Sequence, residues 1–97
     1  MIDYLKEYVE EDTILEMLER YDQAFINQFA IYKSDTLKIL EFMKQAGITV
    51  IDELLIHMPQ VFMMFYDNFI IRISKFNLQE FVQHVNADFV VMDNIFE

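Results

Sequence analysis

The 97-residue chain has no cysteine and no tryptophan, one glycine (Gly47) and one proline (Pro59). Without cysteine there is no disulfide framework, no thiolate nucleophile and no cysteine-based metal site. With glycine and proline confined to one position each, no Gly/Pro-rich linker divides the chain, so a single domain over 1–97 is expected. A glycine-rich phosphate loop is excluded on the same ground. Basic residues are scarce too: seven Lys and Arg stand against 17 Asp and Glu, for a formal net charge of −10. Neutralising phosphates takes clustered Lys and Arg, so direct nucleic-acid binding and adhesion to an anionic membrane surface are both disfavoured. No uninterrupted apolar run approaches the ~18 residues of a bilayer span. The opening residues, MIDYLKEYVEED, have neither the basic region nor the apolar region of a secretion signal, which makes a cytoplasmic location the default expectation.

What the chain does have is apolar mass. Hydrophobic residues make up 55% of it, including ten Phe and five Tyr, against roughly 45–50% for an average domain counted with its glycines. A domain this small has a small core. The surplus therefore belongs either to a Phe-rich interior or to a contact surface. It is densest in PQVFMMFYDNFIIRISKF, Pro59 to Phe76, which is apolar around nearly the whole circumference of a helix. A helix of that kind is buried, so 59–76 is expected to form one central helix.

Around it the spacing of apolar residues is helical almost throughout, and the fold class expected is all-α, a compact bundle of five to six short-to-medium helices. A short stripe of Ile2, Leu5, Tyr8 and Val9 comes first. Thr13 with Glu16 reads as a capping box opening a second helix to about Tyr32, with Ile14, Leu18, Tyr21, Phe25, Gln28 and Tyr32 as its seam. Ser34 or Asp35 caps a third helix, with Leu37, Leu40, Met43 and Phe42 inward, and Gly47 ends it. Thr49, with Asp52 three residues on, opens a short fourth helix. Asn77 and Glu80 cap a last helix over Leu78 to about Asn86, stapled by Phe76 and Phe81. Residues 88–97 are expected to form an extended or helical tail packed on the bundle. Similar helix openings recur at Ile14, Ile51 and Leu78, a pattern that any capped amphipathic helix produces.

Candidate chemistry is sparse. Glu53 with His57, and Glu80 with His84, place a carboxylate and an imidazole one turn apart on two helices, the raw material of a four-ligand metal site. Bundle di-metal sites use a three-residue spacing and inward-facing ligands. At 100° per residue both pairs fall roughly opposite their helices' apolar stripes, so solvent-side helix pairs are the simpler expectation, as for Glu16 with Arg20. Asp67, set among aromatics, is the candidate for a buried carboxylate. No nucleophile–base arrangement is legible, so no catalytic residue and no cofactor is assigned.

The expected function is that of a non-enzymatic interaction or regulatory module that forms a homodimer with a protein partner beyond it. Its contact residues would be Phe62, Met63, Phe65, Tyr66 and Phe69 of the central helix with Phe89, Met92 and Phe96 of the tail. Glu7, Glu10, Glu11, Asp12, Glu16 and Glu19 would form an acidic surface that faces solvent or a basic partner. The alternative is an acidic inhibitor or immunity-type protein that occupies the basic cleft of a nucleic-acid enzyme; a metal-dependent enzyme is the third reading.

Overall fold

Three helix starts in this chain are capped by a short polar side chain, Asp22, Asn77 and Asp88, and one helix end is set by its single glycine. The computed structural model describes residues 2–97. In chain order it has a 3-10 helix at Asp3–Glu7, then α1 (Glu11–Arg20), α2 (Gln23–Ile31), α3 (Lys33–Ala46) and α4 (Ile51–His57), a 3-10 turn at Pro59–Phe62, α5 (Tyr66–Ile73), α6 (Leu78–Ala87) and a closing 3-10 helix at Phe89–Phe96. Among the described residues there is no strand, so the all-α expectation holds.

Asp22 breaks what the sequence presents as one helix from Thr13 to Tyr32. Its carboxylate accepts the Phe25 N–H at 2.8 Å, an N-cap that starts α2 afresh after Tyr21 turns extended. The helical phase therefore resets. The buried seam is Ile14 and Met17 on α1, then Ile26 and Phe29 on α2, while Leu18 and Gln28 lie exposed. Thr13 is not a cap: α1 begins at Glu11, and the Thr13 hydroxyl donates to Asp52 Oδ2 at 2.6 Å, joining α1 to α4. That contact also removes Asp52 from the capping role expected with Thr49.

Gly47 closes α3 as expected. Its φ of +90° is left-handed, the Ile48 N–H bonds the Met43 carbonyl and the Gly47 N–H bonds that of Lys44, and Ile48 and Met43 are both buried; this is a Schellman end with its apolar contact. Asn86 of α6 then ties down the loop, accepting from the Thr49 N–H at 2.8 Å and donating to the Gly47 carbonyl at 3.0 Å. On α6 the expected cap and staple are both present: Asn77 accepts the Glu80 N–H at 3.1 Å, and the Phe76 and Phe81 rings stack at 4.5 Å.

The stretch 59–76 is not one helix. Pro59 disfavours helical backbone at Met58, whose φ of −137° and ψ of 52° end α4. A 3-10 turn follows, Met63 to Phe65 leave helical geometry, and α5 starts only at Tyr66. A straight 18-residue helix would be about 27 Å long, longer than two of the molecule's three dimensions of 35 × 25 × 23 Å. Two short pieces let Phe62 and Phe69 both reach full burial. The first turn of α3 satisfies the backbone at the break: the Thr36 hydroxyl, itself fully buried, donates to the Phe62 carbonyl at 2.7 Å, and Asp35 accepts the Tyr66 N–H at 2.8 Å.

One core results, drawing Leu5, Met17, Phe29, Leu40, Leu54, Phe62, Phe69, Val85 and Met92 from every segment of the chain. Each such side chain contributes roughly 1.5–3 kcal/mol by leaving water. The tail is helical: Met92 and Ile95 insert into the core, Asp88 caps its start through the Val90 N–H, and Arg72 holds its end by donating to the Ile95 carbonyl at 3.0 Å.

Candidate functional site

The expected contact residues divide by burial. Phe62, Phe69 and Met92 are fully enclosed by the chain itself and belong to its core, which corrects their assignment to a contact surface. Met63, Tyr66 and Phe89 are half-buried, and Phe65 and Phe96 are exposed. Phe65 is 63% exposed because it sits in the extended link before α5, where the break turns its side chain outward. Its ring lies 6.1 Å from that of Tyr32, and Ile31, at the end of α2, is 77% exposed. Next along the chain, Tyr66 lines an open groove of about 370 Å³ between α3 and α5, together with Lys38, Glu41, Phe42 and Gln45. Phe96 is covered on one face by the Arg72 guanidinium, 5.8 Å from its centroid.

The two Glu–His pairs lie on the surface, on the polar sides of α4 and α6. His57 is engaged on both nitrogens and one face. Arg20 Nη1 stands 3.3 Å from Nδ1; a guanidinium only donates, so Nδ1 accepts and the neutral ring carries its proton on Nε2. Nε2 faces Glu53 Oε2 at 3.6 Å, and the ring stacks on Phe89 at 5.2 Å. Arg20 thus pairs with His57, not with Glu16 as its helical spacing implied. Being exposed, these contacts are each worth a few tenths of a kcal/mol. Glu80 and His84 line a shallow depression of about 230 Å³ with Phe76, Asn77, Phe81 and Asn94. Among the described residues no group of three or more His, Asp or Glu side chains is placed to hold a metal ion. Asp67 is exposed in the first turn of α5, where its charge complements the helix dipole; it is not the buried carboxylate its aromatic neighbours implied.

Glu7, Glu10, Glu11, Asp12, Glu16 and Glu19 are all exposed, as a solvated face requires. The unexpected feature lies among them. Leu15 is 52% and Leu18 46% exposed on the outer side of α1. The seam read from the sequence placed Leu18 inside; in the structure Met17 is the buried residue and Leu18 is exposed.

Tyr4 carries the largest electrostatic perturbation. Its hydroxyl donates to the Phe29 carbonyl at 2.7 Å, and burial pushes its pKa from 10.0 to about 12, partly offset by the Thr36 hydroxyl. It works as a strut between the N-terminal segment and α2. Among the described residues no helix is long and apolar enough to cross a membrane. Comparison with protein-family models, curated proteins and solved structures finds no match for this chain.

Proposed function

We propose that this chain is a protein-binding module that pairs with a second copy of itself through the α3–α5 face. The observation that carries the proposal is Phe65, a large aromatic held outward on an ordered link beside Tyr32 and an open groove. Aromatic side chains displayed on a rigid frame are the usual anchors of protein contacts. Charge supports a second copy as the occupant. Residues 33–75 hold five basic and five acidic side chains, whereas residues 1–22 hold eight acidic against two basic, and residues 76–97 hold four acidic and no Lys or Arg. Two molecules of charge −10 approach at least cost across their neutral stretch. Lys38 and Glu41, three residues apart on α3, offer opposite charges that a two-fold pair can satisfy reciprocally.

Light scattering coupled to size-exclusion chromatography at micromolar concentration tests this. The wild type should elute at twice the chain mass, and Phe65→Ser at the chain mass with an unchanged far-ultraviolet circular dichroism spectrum. A monomeric wild type, or a dimer indifferent to Phe65→Ser, would remove the proposal.

A further inference from the structure

The exposed leucines of α1 stand in a setting that defines what fits them. Taking the buried Ile14 as zero, Leu18 and Leu15 project at about 40° and 100° around the helix, with Glu11 in line with them at about 60°, and Glu19 and Asp12 on the outer flank at about 140° and 160°. All of these side chains except Ile14 are exposed. The result is an apolar ridge with a carboxylate at its N-terminal end and two more along one side. Among the described residues, Glu11, Asp12 and Glu19 have no ion-pair partner. The one basic side chain of this helix, Arg20, is turned away onto His57.

We infer that this face of α1 docks a basic amphipathic helix of a protein partner, one whose apolar stripe has residues three or four apart and is flanked by Lys or Arg. An apolar stripe at that spacing matches the one-turn separation of Leu15 and Leu18. Cationic flanks meet carboxylates that have no partner of their own, so association is steered by charge and held by the leucines. A second copy of this chain is a poor occupant, because two such rims would bring like charges together. The surface is separate from the α3–α5 face and does not depend on pairing there.

The probe is a synthetic peptide of about four helical turns, with Leu at alternating three- and four-residue spacings and Lys elsewhere. Two control peptides replace Lys by Glu or Leu by Ser. Binding is read by fluorescence anisotropy of the labelled peptide at about 20 mM and about 300 mM salt. The wild-type protein should bind the Leu/Lys peptide, more weakly at high salt, and should bind both controls at least about tenfold more weakly. The double variant L15S/L18S, which changes only exposed positions, should lose about tenfold or more while keeping its circular dichroism and its oligomeric mass. Equal binding of the Leu/Lys peptide by wild type and L15S/L18S would overturn the inference. Binding of the Ser/Lys control as tight as that of the Leu/Lys peptide would also overturn it, by showing a diffuse acidic field and not a docking ridge.

Discussion

Tyr4 and Thr36 each donate a hydroxyl hydrogen bond to a backbone carbonyl of a distant segment. The Tyr4 hydroxyl is neutral in the folded protein, and its pKa lies above that of an unfolded tyrosine. A group shifted upward in the folded state contributes stability that is fully present below the unfolded pKa and is lost as the pH rises through the folded one. The relevant window therefore runs from pH 10.0 to about 12. Denaturant unfolding across that window should show wild-type stability falling more steeply than that of Tyr4→Phe, which cannot ionise. Parallel slopes would mean that the hydroxyl is not held as described. Neither side chain is conspicuous in the sequence, because each is defined by a carbonyl 25 or 26 residues away, Phe29 for Tyr4 and Phe62 for Thr36.

At the scale of elements, the break between Phe62 and Tyr66 is what distinguishes this fold from a simple bundle. Leaving the Phe62 carbonyl buried without its donor should make Thr36→Val cost about 1–3 kcal/mol. Removing the acceptor of the Tyr66 N–H should make Asp35→Ala cost about 0.5–2 kcal/mol, as loss of a helix cap does. Urea denaturation reads both, and hydrogen exchange should show the Asp35 variant releasing amides at the start of α5 before those of α3. Uniform exchange along α5 would argue that Asp35 does not set its beginning. Where the information is local, the elements were legible in advance: the Gly47 end with Ile48 folded back on Met43, and the Asn77 cap with its Phe76–Phe81 staple, each involve residues within a turn or so. The Thr13–Glu16 box failed because Thr13 has a better partner, Asp52, 39 residues away. The α1–α2 seam failed because a capping aspartate in mid-pattern, Asp22, restarts the helix and rotates every later residue.

At the scale of the whole molecule, the net charge is carried by the two ends of the chain, while residues 33–75 balance five basic against five acidic side chains. If copies pair through the neutral stretch, added salt screens the repulsion between two chains of charge −10 without weakening the apolar contact. The dimer should be unchanged or tighter at high salt, while peptide binding at α1 weakens. Sedimentation of the free protein and anisotropy of the peptide, measured across one salt series, should move in opposite senses or at least not together. A dimer that dissociates with salt would place charge pairs, not Phe65, at the centre of the contact.

By itself the sequence determined the all-helical class, the Gly47 and Asn77 boundaries, and the exposure of Glu7, Glu10, Glu11, Asp12, Glu16 and Glu19. Each follows from periodicity or from chemistry within a turn of the residue concerned. Only the tertiary structure decided which apolar residues remain outside. Pro59 to Phe76 is apolar enough to be buried as a rod, but Pro59 ends α4 and the backbone leaves helical geometry again at Met63 to Phe65, so the chain buries Phe62 and Phe69 from two pieces and leaves Phe65 in water. Leu15 and Leu18 differ from Ile14 and Met17 only in the side of α1 they occupy. That side is settled by where α4 packs on α1, and local spacing cannot supply that fact.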